Sequence, residues 1–479
     1  SIHVIANGEI YNFKKLKTEL EHKGHFFYTK SDCEVLVHLY EEHGINFVDK
    51  LEGMYAFAIW DQKQKKLCLA RDRYGEKPLY YFFKNNDLFF ASELKALLKC
   101  PCIRKELDII ALQKYLAYEY IPAPLSIIKD VFKLDAAEIL EYDLVQNRVS
   151  KSKYWLPFAN PPSSLVLNFD QAKNRFESLL VAAIEKRLMS DVPLGVFLSG
   201  GLDSSSIAFM IANIRGNANF KTFSIAFQES SFDESAFARL VAEKLGTKHF
   251  EETLTINKML DILPEITAFM DEPFSDASII PTYLLSKFTR NHVKVAISGD
   301  GSDELLLGYP TFLASKCANF YSALIPQLIS QKIVGPIINA LPTRTNNFSF
   351  DFKLKQFMKG MLSNSEFREQ IWLGSFSQDE INELLIDQQV IQEKDLYSEL
   401  LDVKKNTLAE GFLNVESHLY ISSYLKNDIL HKVDYASMAA SLEVRAPFLD
   451  RELGEFIFSL PSVRSYSKAA ASFLLYGSQ

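Results

Sequence analysis

The apolar run Leu194-Gly195-Val196-Phe197-Leu198 passes directly into Ser199-Gly200-Gly201-Leu202-Asp203-Ser204-Ser205, and the helical-looking Ile207-Ala208-Phe209-Met210-Ile211 follows at once. A strand, a glycine turn and a helix N-terminus are thereby set in succession, and this order restricts the fold more than any other feature of the chain. The two glycines let backbone approach an anion closely. Three serine hydroxyls stand beside the free N–H groups and the positive dipole end of the helix. The expected result is a pyrophosphate cradle. It contains no lysine, so it is not the G-x-x-x-x-G-K-[ST] loop that grips β- and γ-phosphates. Attack at an α-phosphate, releasing AMP and pyrophosphate and never ADP, is the chemistry expected of it.

A second loop supports the first. The apolar strand Val293-Lys294-Val295-Ala296-Ile297 runs into Ser298-Gly299-Asp300-Gly301-Ser302-Asp303-Glu304, again a glycine-rich turn at a strand's carboxyl end. Three acids so close to a phosphate cradle call for a cation. Asp203 from the first loop and Asp303 from the second are expected to hold Mg²⁺ as hard oxygen ligands, which would neutralise the leaving pyrophosphate.

At 479 residues, 48% of them hydrophobic, the chain is long enough for two or more cores. The first third is dense in short β-type runs such as Ser1–Ala6, Ala56–Trp60, Leu67–Ala70 and Leu79–Phe83. Asn160-Pro161-Pro162-Ser163-Ser164 reads as a linker, and strands and helices alternate beyond Asp170. Two domains are therefore expected, 1–150 and 170–479. In the second, Asp233 precedes a helix carrying Phe237, Leu240, Val241 and Leu245 on one apolar face and closed by Gly246, between strands Thr222–Phe227 and His249–Glu251. Such alternation predicts a parallel sheet covered by helices, with ligands outside the carboxyl ends of its strands. After residue 305 the pattern is largely helical.

A net charge of −8 argues against a nucleic-acid partner. No apolar run reaches the roughly 18 residues of a membrane span, and no signal-type sequence opens the chain, so a cytoplasmic location is expected. Cys33, Cys68, Cys100, Cys102 and Cys317 form an odd set without a C-x-x-C pair and read as reduced thiols.

The S-G-G-x-D-S loop resembles the signature of the PP-loop ATP pyrophosphatases. With Phe232–Ser235, Asp271–Ser278, Lys432–Ala439 and Leu442–Asp450, the chain resembles the glutamine-hydrolysing asparagine synthetase family over nearly its whole length. The resemblance implies an α/β fold class: an N-terminal-nucleophile glutaminase, a β-rich sandwich, ahead of a PP-loop domain with a parallel sheet and a helical C-terminal part. It implies ATP contacts at Leu198, Ser199, Gly200, Gly201, Asp203, Ser204, Ser205, Ser298 and Gly299, Mg²⁺ on Asp203 and Asp303, and a role for Asp300 in ligation. Glu443 and Arg445 fit either a structural ion pair or a substrate contact, since an arginine fork suits both.

In the first third, Asn7-Gly8-Glu9-Ile10-Tyr11-Asn12 is similar to the glutaminase motif of the same family. The resemblance implies that the Asn7 amide and the Gly8 N–H form an oxyanion hole, where one donor is worth roughly 3 kcal/mol. It also implies that Glu9 and Asp32 hold the glutamine amino group, and it makes Arg71–Gly75 with Lys77–Tyr81 a structural segment. The family's nucleophile is an N-terminal cysteine upstream of this motif, and a phosphate-contacting lysine lies in a segment beyond Gly477-Ser478-Gln479. Both domains accordingly read as incomplete, at the N-terminal and C-terminal end respectively. Cys33 lies beside Asp32 without an N-terminal amine and reads as a structural thiol. The expected activity is synthesis of asparagine from aspartate, glutamine or ammonia, and ATP, through β-aspartyl-AMP. Partners would be small molecules alone, with a homodimer open. The alternatives are a relative acting on another carboxylate and a non-catalytic nucleotide-binding remnant.

Overall fold

The structure, a computed structural model, describes residues 1–159, 167–216, 219–342, 349–385 and 390–460. The linker read at Asn160–Ser164 and the stretch Gly477–Gln479 lie outside them.

The first half is antiparallel. Its strands are β1 (Ile2–Ile10), β2 (Gly53–Asp61), β3 (Lys66–Arg71), β4 (Tyr80–Lys84), β5 (Asp87–Ala91), β6 (Val131–Lys133), β7 (Glu138–Asp143) and β8 (Arg148–Lys153). They form a five-stranded sheet of order β1-β2-β3-β7-β8 and a three-stranded sheet of order β5-β4-β6. The period of two in β2 divides the layers. Ala56 and Ala58 join Leu69, Leu140, Leu79 and Tyr81 in the core between the two sheets. Tyr55, Phe57 and Ile59 point the other way, onto Leu16, Leu20, Val35, Leu36 and Leu39 of the helices Phe13–His22 and Glu34–His43. The segment after β3 is structural, as expected. Asp72 accepts from the N–H groups of Tyr55, Tyr74, Gly75, Glu76 and Lys77, and Arg71 donates to the carbonyls of Gly75, Lys77 and Leu134. A tight turn is thus closed with the Asp72 carboxylate and the Arg71 guanidinium paired.

The third sheet is wholly parallel. β9 (Leu194–Phe197), β10 (Lys221–Phe227), β11 (Lys248–Leu254), β12 (Val295–Ile297) and β13 (Glu443–Arg445) lie in the order β11-β10-β9-β12-β13. The chain enters at the centre, winds to one edge, then returns to the other side of β9. The order therefore reverses between β9 and β12, where open sheets of this kind leave a crevice. Val196 and Ile297 pack on Leu180, Ile184, Ile207 and Ile211 of the helices Phe169–Leu188 and Leu202–Arg215. On the opposite face Phe223, Ala296 and Val444 meet Leu285 and Phe288 of the helix Ile279–Arg290.

One local expectation holds with an addition, and another is corrected. The chain past residue 305 is largely helical but contributes an edge strand, β13. In the helix Ser235–Leu245, Val241 and Leu245 pack half-buried against the core as expected, but Phe237 and Leu240 are exposed while Ser235, Ala238 and Ala242 are buried. Small residues occupy its buried face because Gly200 approaches the backbone there.

Candidate active site

A cavity of about 470 Å³ opens at the carboxyl ends of β9, β10 and β12. Of the residues read from sequence as ATP contacts, Leu198, Ser199, Gly201, Asp203, Ser204, Ser298 and Gly299 line it, and Asp300 and Asp303 join them. Gly200 and Ser205 do not. Gly200 turns at φ +84°, and a Cβ there would come within 2.5 Å of the Ala238 N, so the position requires glycine for its close approach to the neighbouring helix. The Ser205 hydroxyl is buried without a partner among the described residues.

The first loop is preorganised by its own serines. The Ser204 hydroxyl lies 2.9 Å from that of Ser199 and accepts from the Ser199 N–H at 3.2 Å, while Ser199 Oγ accepts from the Gly201 N–H at 3.2 Å. Gly201 is the N-cap of the Leu202–Arg215 helix, whose first-turn N–H groups face the crevice side of the loop.

The second loop brings acids. Ser298 donates to Asp300 at 2.6 Å, and burial raises the Asp300 carboxyl above its ordinary range. Burial, with Asp203 and Asp300 nearby, pushes Asp303 up to about 6. Asp203 is raised by burial as well, though Ser302 donates to it and opposes the shift. Neither Asp203 nor Asp303 has an ion-pair partner among the described residues. Two desolvated carboxylates on facing loops suit a hard divalent cation, and Mg²⁺ fits this donor set.

One cation on the cavity wall escaped the sequence reading. Lys432 donates to Asp276 Oδ2 and Ser278 Oγ, each at 2.7 Å. It belongs to the quoted run Lys432–Ala439, but only the fold reveals that it shares a cavity with Ser199. Glu234, Ser235 and Ser278, from the other quoted runs, also line the cavity.

In the first domain, Asn7, Gly8 and Glu9 are consecutive in β1, facing Ala56, Tyr55 and Met54 across the ladder. Gly8 has φ +141°, and a Cβ would overlap the Met54 carbonyl oxygen, so only glycine fits. Asp32 accepts from the Ile10 N–H at 2.7 Å, which brings it to the end of the motif. Cys33 is half-buried, and burial beside Asp32 pushes its thiol up to about 12, in keeping with an inert structural residue. Glu9 reaches out of its domain: its Oε1 lies 3.3 Å from Arg445 Nη2. Arg445 also pairs with Glu443 at 2.6 Å and donates to the carbonyls of Arg187 and Met189, so its fork is a junction between domains.

Between the two regions lies a small cavity of about 20 Å³, with Met54, Glu76 and Lys77 on one side and Ser298, Asp300 and Val433 on the other. Met54 thus borders Gly8 and this cavity alike, and Asp300 borders both cavities. Glu76 is fully buried, and burial with Asp72 beside it pushes its carboxyl up to about 8.

The sequence matches the glutamine amidotransferase domain model over residues 1–155 and the asparagine synthase model over residues 175–469. It is 34% identical over 452 residues to a putative asparagine synthetase (glutamine-hydrolyzing) 2 of Methanocaldococcus jannaschii, covering 93% of this chain and 83% of that protein. It is 30% identical over 480 residues to asparagine synthetase (glutamine-hydrolyzing) 1 of Bacillus subtilis, covering 98% and 72%. A more distant relative, amidase chry2 of Gibberella zeae, is 25% identical over 503 residues, covering 96% and 70%. No described helix is long and apolar enough to cross a membrane. With its amidotransferase sandwich, its doubly wound parallel sheet and the loops at the switch point of that sheet, this chain belongs to the asparagine synthase family.

Proposed function

We propose that the protein makes asparagine from aspartate and ATP, with nitrogen from glutamine or ammonia, through β-aspartyl-AMP and with release of AMP and pyrophosphate. The observation that carries this reading is the position of Asp300, which borders both the phosphate-type cavity and the small cavity reaching Met54 behind Gly8. The glutaminase part is taken as residues 1–150 and the ATP-dependent part as 170–479.

In this reading the N–H groups and hydroxyls of the Ser199 loop bind the pyrophosphate of ATP, and the aspartate carboxylate attacks the α-phosphate. Mg²⁺ on Asp203 and Asp303 would neutralise the leaving group. Lys432 adds positive charge on the same wall. Asp300, whose carboxyl burial makes more basic than usual, takes a proton from the attacking ammonia as AMP departs. Asn7 and Gly8 hold the oxyanion of glutamine hydrolysis, while Glu9 and Asp32 hold the amino group of glutamine. The small cavity supplies a sheltered way for ammonia to reach the adenylate without meeting water. A cytoplasmic location and a homodimer go with this reading; fractionation and sedimentation equilibrium test them.

The decisive assay supplies aspartate, Mg-ATP and either glutamine or ammonium, and measures asparagine, AMP and pyrophosphate. Stoichiometric ADP would overturn the adenylation chemistry. The relative named amidase favours a second reading, in which another carboxylate replaces aspartate. AMP release with a different acid and none with aspartate would select it, and none with any acid would select a nucleotide-binding remnant.

A further inference from the structure

On the far side of the amidotransferase sheet, two imidazoles face each other across a carboxylate. His25 lies just past the helix Phe13–His22, in the strap that leads to Asp32, and His38 and Glu41 occupy one face of the helix Glu34–His43. His25 Nδ1 and His38 Nδ1 are 3.1 Å apart, and each is 3.6 Å from Glu41 Oε2. Ligands of a tetrahedral ion with bonds of about 2.0–2.1 Å stand about 3.3–3.4 Å from one another, so this triangle has the size of three corners of such a site.

Each far nitrogen has a carboxylate nearby, within hydrogen-bond distance for His25 and beyond it for His38. His25 Nε2 lies 3.2 Å from Glu42 Oε1, and His38 Nε2 lies 3.8 Å from Glu34 Oε1. A metal-ligating imidazole keeps its second N–H toward a carboxylate, which fixes the tautomer and strengthens the ligand nitrogen. With Nε2–H on both rings, the tautomer that an ion held between them requires, both Nδ1 lone pairs point into the triangle, an arrangement that two neutral rings alone would leave repulsive. Either a cation or one shared proton must relieve it. Both rings are mostly buried, at 15% and 12% side-chain exposure, while Glu41 is 47% exposed and leaves the fourth corner toward solvent.

We propose that His25, His38 and Glu41 bind a divalent transition-metal ion of the zinc type in the amidotransferase domain, apart from the ATP cavity. Its consequence is local order. The strap from Lys23 to Ser31 is almost entirely exposed, with only His25 and Phe27 turned inward, and it is otherwise tied by Glu34, which accepts from the Tyr28 and Thr29 N–H groups. A metal clip at His25 fastens the strap to the Glu34–His43 helix just ahead of Asp32, the residue on the Ile10 N–H. Two histidines and one carboxylate favour Zn²⁺ or Co²⁺ over Mg²⁺ or Ca²⁺, which prefer all-oxygen sets.

The test titrates the full chain, stripped by chelator, with Zn²⁺ against a competing chromophoric chelator, and with Co²⁺ followed by its d–d absorption. Ions held by the exposed thiols Cys102 and Cys317 remain in every variant and set the baseline. Above it, one Zn²⁺ per chain and a tetrahedral Co²⁺ spectrum are expected. His25→Gln, His38→Gln and Glu41→Gln should each weaken this ion by more than the roughly 10–100-fold that loss of an outer-shell partner costs, and Glu42→Gln by about that amount. Hydrogen exchange of residues 25–31 should slow on adding Zn²⁺ in the wild type and not in Glu41→Gln. The Glu41 side chain is half exposed, so this variant decides the matter even where a histidine variant fails to fold. Zn²⁺ binding of equal number and strength in the wild type and Glu41→Gln, or no ion above the baseline, would overturn the proposal and leave a shared proton between the rings.

Discussion

Glu9 shows how two domains set the charge of one side chain. Burial and the Glu443 carboxylate push its carboxyl up to about 7, while the Arg445 guanidinium pulls the other way. If Glu9 holds the ammonium of glutamine, only its ionised form binds. Glutamine affinity measured by calorimetry should therefore be constant above pH 7 and fall about tenfold per unit below it, because the acid protonates as pH drops. Glu443→Gln should move that midpoint down and Arg445→Met should move it up; a midpoint indifferent to both variants would remove Glu9 from the binding step. Asp303 is tested by a different readout. Asp303→Asn should keep the fold yet lower aspartate-dependent ATP–pyrophosphate exchange by roughly 100-fold or more, since a metal on a developing phosphate charge is worth several kcal/mol. Unchanged exchange would clear Asp303 of any part in metal binding.

Among elements, the Ser199 turn depends on one glycine that packs against a neighbouring helix. Gly200 combines φ +84° with contact against backbone of the Ser235–Leu245 helix, which cannot yield as a flexible side chain would. Gly200→Ala should cost about 1–2 kcal/mol from the backbone conformation alone, and more as the helix is displaced. Its denaturation midpoint and ATP affinity should fall together, and a variant as stable as the wild type would refute the close approach. The turn itself was legible in sequence because strand, glycines and helix start are local signals, and β9, β10 and β12 lie where their apolar runs placed them. β13 was not legible. Its three residues, Glu443-Val444-Arg445, have no period to read and become a strand only because β12 offers an unpaired edge. The Ser235–Leu245 helix misled for a related reason: its large apolar residues suggested the buried face, whereas close packing against Gly200 demanded its small ones. Lys432, Glu76 and the Glu9–Arg445 contact escaped as well, since each gains its role from a partner at least 154 residues away in sequence or from burial that only assembly creates.

The two halves of the molecule are joined by buried ion pairs rather than by a greasy seam alone. Lys77 donates to Asp434 at 2.7 Å with side-chain exposures of 6% and 10%, and Lys133 lies 2.7 Å from Glu272, which also accepts from Tyr80 and the Ile127 N–H. Each pair links the amidotransferase sandwich to an element that lines or borders the ATP-side cavity. Desolvation makes such pairs weak sources of net stability but severe liabilities when only one partner is removed. Glu272 keeps two other donors if Lys133 is lost. In Lys77→Ala, Asp434 loses its ion-pair partner, and the variant should lose about 3–5 kcal/mol by chemical denaturation, with its two domains melting further apart in calorimetry than those of the wild type as they uncouple. Replacing both partners with apolar residues, Lys77→Met with Asp434→Leu, should recover most of that loss, because no charge is then stranded. A double variant as unstable as Lys77→Ala would mean that the pair carries the junction by its own attraction, and that the domains stay in register through the charges rather than through the surface around them.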